Sequence, residues 1–408
     1  MGKQKRSSAL LSTEVDSGPE RFPAQLLSQA EAARQAHFER CLIEHPHLSE
    51  AVLSVRHAIC MPGVESAYRR IGCMVLVMGP SRVGKTTLIH LLEEDLLRHA
   101  QTRMREDPGY IPFVSITTDG SGTGRFDWKD YYLSVLRQLR DPFLQVKKSL
   151  TSTRDLREAT EEALLHRKTE VIIVDEAHHL AKARSGRRLH YHLDHRKYFE
   201  NKTGVSHVLV GTYEMRPFRT VNAQLACRSI DVHFARYNAT QEHERAIFKS
   251  VLWALQRQLP VEREPADLLG EWEWLYARSL GCVGLLKQHL NQALGLALAE
   301  KAETVTTTHL RKTALHKEKV DLALEAILDG EKDFFEAEDA DFALLSKLGM
   351  GQTSPPENTM SAQQRASASH PAKTRARLPG ERVPVRDPSG LERSEQEGNE
   401  YGESCVAE

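Results

Sequence analysis

The chain has 408 residues, of which 40 % are hydrophobic, and its 55 Lys and Arg against 56 Asp and Glu leave a formal net charge of −1. That length and apolar fraction support roughly two to three domains with at least one large core. A charge so near neutrality excludes a uniformly basic nucleic-acid binder, so any such surface must be local.

Six cysteines (Cys41, Cys60, Cys73, Cys227, Cys282 and Cys405) form no Cys-x-x-Cys pair. That argues against a zinc site or a disulfide framework and for a reducing compartment, with the cytoplasm as the expected location. The basic start Met1 to Arg6 is followed only by Ala9-Leu10-Leu11, too short for a signal-peptide core. Arg6 breaks the myristoylation pattern, and Cys405-Val406-Ala407-Glu408 ends on a residue unusual for prenylation. No apolar run approaches the ~18 residues of a membrane span, so no membrane partner is expected.

In chain order, residues 1–20 are polar and expected to be disordered. Residues 21–70 carry helical spacing in Leu26-Leu27, Ala30, Ala33 and His37-Phe38, and read as a helical preface. Residues 71–238 alternate short apolar runs with helical stretches: Met74 to Met78, Ile111 to Thr117, Val171 to Val174 and Val208 to Gly211. Continuous Val, Ile and Leu runs of this kind predict a parallel sheet covered on both faces, an α/β fold.

The first of these strands runs into Gly79-Pro80-Ser81-Arg82-Val83-Gly84-Lys85-Thr86-Thr87, which satisfies Gly-x4-Gly-Lys-[Ser/Thr], and Leu88 to Leu92 reads as an opening helix. Strand, glycine loop and helix N-terminus make an anion site, because backbone N–H groups and the helix dipole both favour phosphate. Lys85 is expected to reach the β- and γ-phosphates of ATP, and the Thr86 hydroxyl to hold Mg²⁺. A glycine-rich loop, Asp119 to Arg125, precedes an amphipathic helix from near Trp128, and Arg125 could approach a phosphate backbone.

The run Val171-Ile172-Ile173-Val174-Asp175-Glu176 ends a strand in two carboxylates. Asp175 is placed to orient the metal's water shell and Glu176 to polarise the attacking water as general base. Then come Lys182, Arg184, Arg187, Arg188, Arg196, Lys197 and Lys202 against only Asp194 and Glu200. This cluster predicts salt-sensitive, sequence-indifferent contact with double-stranded DNA. His190, His192 and His195 lie in the same run, but their spacing suits no zinc motif.

The strand His207 to Gly211 ends at Thr212, the candidate γ-phosphate sensor. Arg228 is the candidate arginine finger for a neighbouring subunit's γ-phosphate, with Arg216, Arg219 and Arg236 near enough to compete. Residues 239–330 turn wholly helical, as in Leu285-Leu286, Leu290, Ala293-Leu294 and Ala297-Leu298, an all-α lid. Its helix after Gly281 to Gly284 carries Lys287, which could report nucleotide state to the lid. A short acidic helix is expected within 331–348. Residues 349–408 are rich in Pro, Ser, Gln, Arg and Glu and are expected to be disordered.

The loop, Asp175-Glu176, Thr212 and the lid together resemble the AAA+ superfamily. Glu44-His45-Pro46-His47, the wording of the loop, Asp175-Glu176-Ala177-His178-His179 and the Gly-x-x-Gly opening of the lid helix resemble the TnsC/TniB family of transposition ATPases, over roughly residues 40 to 300. The resemblance implies an ATP-dependent ring or filament on duplex DNA that links a target-selection protein to a transposase. The chain departs from the superfamily pattern in having Ser229-Ile230 after Arg228, and Lys287 where Arg is frequent. Two other readings share the same core: a nucleotide-gated signalling switch, and a loader of the replication-initiation type. The absence of an obvious winged-helix segment after Leu328 counts against the loader reading.

Overall fold

Five strands line up in parallel in the order β2-β3-β4-β1-β5, where β1 is Met74–Met78, β2 Phe113–Thr117, β3 Val171–Asp175, β4 Ser206–Gly211 and β5 Ser229–His233. This computed structural model describes residues 21–60, 72–118, 126–142, 152–181, 199, 202–220, 226–227, 229–265, 268–334, 345 and 347–348. Contacts divide the chain into two units, Met1–Ala337 and Glu338–Glu408, and the first contains everything below.

β1 is buried at every position because it lies inside the sheet with helices over both faces. Its side chains alternate between two cores, as the two-residue period of a strand requires. Met74, Leu76 and Met78 pack with Tyr132, Val135 and Leu136 of α4 (Trp128–Gln138) and with Leu156 and Leu164 of α5 (Thr153–Arg167). Val75 and Val77 pack with Leu48 and Val55 of α2 (Pro46–Cys60) and with Leu88 and Leu92 of α3 (Lys85–Glu106). Side-chain caps fix the starts of α4 and α5: Asp127 accepts from the N–H of Lys129, and Ser152 from that of Arg154.

The fifth strand was not among the expected runs. Ser-Ile-Asp-Val-His is an edge strand, pairing only with β1 among the described strands, and Ile230 and Asp231 are exposed. A charge mid-strand on an open edge leaves no continuous apolar run to find in the sequence.

After a four-residue helix α6 (His178–Ala181), a short 3-10 turn (Tyr213–Met215) and α7 (Pro217–Thr220), the chain enters a helical region. It comprises α8 (Glu242–Arg257), α9 (Trp272–Ser279), α10 (Val283–Ala299), α11 (Thr307–Thr313) and α12 (Lys317–Glu331), followed by a 3-10 turn at Lys332–Phe334. Phe248, Val251, Leu255, Leu286, Leu290 and Leu294 form its core. The preface divides between the two layers: α1 (Glu31–Arg40) buries Phe38 in this helical core, while α2 lies against the sheet. Among the described residues no helix is long and apolar enough to cross a membrane.

Candidate nucleotide site

Register brings distant residues to one crest. Met78 lies opposite Gly211, the N–H of Gly79 donates to Gly211 O at 3.3 Å, and the N–H of Ala177 donates to Val210 O at 2.9 Å. The loop after β1, the turn after β3 and the end of β4 therefore share the carboxyl edge of the sheet, where open α/β sheets bind ligands.

Gly79 can only be glycine, since a Cβ there would lie 2.3 Å from the carbonyl oxygen of Phe234. Gly84 has φ 124° and Arg82 φ 63°, so the chain from Pro80 and Ser81 through Val83 turns left-handed twice before α3 begins at Lys85. The first N–H groups of a helix have no intrahelical acceptor, which leaves the start of α3 as an anion cradle. Thr86 is exposed and Thr87 half-buried on that first turn.

The Lys85 ammonium is buried and donates to Pro80 O at 2.7 Å and Gly79 O at 3.3 Å. Burial holds its pKa below the ordinary lysine value, and Glu176 and Asp175 pull it back up. Asp175 closes β3, and its Oδ1 accepts the N–H of Glu176 at 2.7 Å. Burial raises the Asp175 pKa; the Glu176 N–H bond opposes that, the Glu176 charge adds to it, and Lys85 opposes it again. A half-buried carboxylate facing a buried ammonium across a helix N-terminus suits a cation and a phosphate chain between them. The donor set fits Mg²⁺ with ATP: Thr86 and Asp175 would hold the metal, and Lys85 and the loop the phosphates.

Glu176 sits at φ 53°, a left-handed conformation that costs a side-chain-bearing residue free energy. Thr118, just past β2, holds it there: its hydroxyl donates to Asp175 O at 3.0 Å and Glu176 O at 2.8 Å, and its N–H also donates to Asp175 O. The Glu176 carboxylate is aimed outward, 3.0 Å from His178 Nδ1. Thr212 follows β4, and its Oγ1 is buried without a hydrogen-bond partner. Nothing in the sequence marked Thr118, because its role depends on pairing between β2 and β3.

The helical region touches the loop directly. A Cβ on Gly284 would lie 2.2 Å from Arg82 O, and one on Gly281, at φ 75°, 2.2 Å from Tyr237 O. Cys282 between them is buried, its thiol pushed up to about 12 by burial. Lys287, the candidate reporter of nucleotide state, donates to Glu39 O at 2.7 Å and Cys41 O at 2.6 Å. One turn into α10 its side chain reaches the end of α1, so its ammonium joins the preface to the helical region.

Arg228, Arg125, Lys182, Arg184, Arg187, Arg188, Arg196 and Lys197 lie outside the described residues. Lys202 pairs with Glu161. Arg216, Arg219 and Arg236, the competitors of Arg228, are all engaged with the end of α12 or the turn after it: Arg216 with Asp329, Arg219 with the Asp333 carbonyl as well as with Asp231 of β5, Arg236 with Glu331.

Residues 71–218 match the protein-family model described as AAA domain. The segment has the fold of an AAA domain. Nucleotide and Mg²⁺ are what such a domain uses. No curated protein matches the chain. Similar solved structures include the ORC2 protein of Aeropyrum pernix in ADPNP-ADP complexes, at 13% identity over 74% of this chain and 85% of that chain, with TM-score 0.45. Drosophila ORC bound to DNA shows 14% identity over 85% and 89%, TM-score 0.47. Cdc6p of Pyrobaculum aerophilum shows 13% over 77% and 89%, TM-score 0.48.

Proposed function

We propose that this chain is an ATP-hydrolysing AAA+ switch that assembles on duplex DNA when ATP-bound and comes apart on hydrolysis. In transposition, as the TnsC/TniB resemblance suggests, it would link target selection to a transposase. The observation that carries the nucleotide half is the Lys85 ammonium, buried at a helix N-terminus and flanked by Asp175 and Glu176.

ATP with Mg²⁺ supplies the scissile anhydride and the cation that screens its charge. Lys85, which here donates to the Gly79 and Pro80 carbonyls, would bind the phosphates, and the loop N–H groups would orient them. Asp175 would hold the metal, whose charge would favour the ionised carboxylate against the burial that raises its pKa. Glu176 takes a proton from water at a carboxylate oxygen, held in place by the Thr118 bonds to its backbone. The Thr212 hydroxyl, unpartnered at the same crest, would gain an acceptor in the γ-phosphate.

The DNA half is supported by the basic run from Lys182 to Lys202 in a near-neutral chain and by the family resemblance. Steady-state ATP turnover with and without duplex DNA tests the reading. DNA should raise turnover, and the rise should shrink as salt increases. Turnover indifferent to DNA at every salt concentration favours a signalling switch instead.

A further inference from the structure

The end of α12 is gripped by residues from the segment between Thr212 and Tyr237. Arg236 forms a two-pronged pair with Glu331 at 2.9 and 3.1 Å, both side chains being largely buried. Arg216 reaches Asp329 Oδ2 at 2.7 Å, the Asp329 carbonyl at 3.0 Å and Asp333 at 3.4 Å. Arg219 pairs with Asp231 of β5 at 2.5 Å, and its other arm donates to Asp333 O at 2.7 Å while the guanidinium lies 4.6 Å from the Phe334 ring centroid. Phe334 in turn stacks on His233 at 4.2 Å, and His233 bonds the Tyr213 hydroxyl at 2.8 Å. Gly330 lies flat on the Tyr213 ring, where a Cβ would come within 2.1 Å.

We propose that Asp329–Phe334 is a releasable clasp: an acidic and aromatic segment that, in the lone chain, occupies Arg216, Arg219 and Arg236 and withholds them from a second copy of the same chain. The proposal rests on the assembly reading above. A guanidinium fork binds a carboxylate or a phosphate through the same donors, so Arg216 and Arg236, held by Asp329, Asp333 and Glu331, and Arg219, covered by Asp333 O and Phe334, cannot also serve the triphosphate of a neighbour. The outer contacts are loose by construction, since Asp329 and Asp333 are about half exposed, and exposed ion pairs contribute little. A trigger is adjacent, because Tyr213 beneath Gly330 directly follows the unpartnered Thr212. A shift of Thr212 toward a bound γ-phosphate moves the surface on which the clasp rests.

The test is sedimentation of the full chain with a non-hydrolysable ATP analogue over a range of protein concentrations. It compares the unaltered chain, D329N/D333N, and D321N, a control on the same helix whose carboxylate pairs with Lys317. Amide exchange across the sheet confirms that each variant is folded. The double variant should assemble at a concentration at least about fivefold lower, with D321N unchanged. A folded double variant that assembles at the same or higher concentration than the unaltered chain overturns the clasp and leaves the assembly reading intact. Failure of all three to assemble, even with duplex DNA, overturns the assembly reading itself.

Discussion

At the scale of single residues, Thr212 offers the sharpest separation of function from stability. Its Oγ1 is buried without a partner, so T212V removes an unsatisfied group and should leave thermal stability unchanged or raise it by about 1 kcal/mol. ATP turnover should nevertheless fall about 100-fold, as when one positioned donor to developing charge is lost. If T212V melts earlier and hydrolyses normally, the hydroxyl is structural. Thr118 makes the complementary case. T118V removes the two hydroxyl bonds that help hold Glu176 at φ 53° and keeps the backbone one, and a roughly tenfold loss in turnover is expected with nucleotide affinity kept, measured by titration of a fluorescent analogue. Gly79 to Thr87 and Asp175-Glu176 were legible in sequence because each is contiguous. Thr118 was not, since only the pairing of Thr117 with Asp175 brings it there, and the orientation of Lys287 depends on where α1 ends.

Among the elements, α10 and its Gly-x-x-Gly entry set how the helical region meets the phosphate loop. Gly284 faces Arg82 O with no room for a Cβ, while the core of α10 lies on Leu286, Leu290 and Leu294, away from that contact. G284V should therefore weaken nucleotide binding by tenfold or more while leaving helix content by circular dichroism unchanged; unaltered affinity would place the helical region away from the nucleotide. The helical region was readable from its three-to-four spacing, and β1, β3 and β4 from their apolar runs. β5 escaped because it is short and charged at its open edge. The grip on α12 joins residues about a hundred positions apart, a distance no local pattern reports.

For the whole molecule, the joint between the sheet and the helical region carries a pH liability. His45 is buried against the Tyr237 hydroxyl at 2.9 Å, and burial lowers its pKa from 6.5 to about 3. A folded-state pKa below the unfolded value means the unfolded chain takes up a proton first as pH falls below 6.5. Stability is then lost progressively down to about pH 3, by roughly 1.4 kcal/mol for each pH unit crossed in that window. H45N should flatten this limb in urea melts between pH 7 and pH 4, with about 1–3 kcal/mol less loss than the unaltered chain. An identical pH dependence would move the acid sensitivity to other groups, His233 first, whose pKa burial lowers to about 4.

On the proposed reading, ATP held at Lys85 governs assembly on DNA. That reading is tested most directly by imaging the full chain on duplex DNA with a non-hydrolysable ATP analogue, beside K85A under the same conditions. Ordered rings or filaments on DNA are expected for the unaltered chain and none for K85A. Equal assembly by both, or DNA binding by single copies that ignores nucleotide, would contradict it.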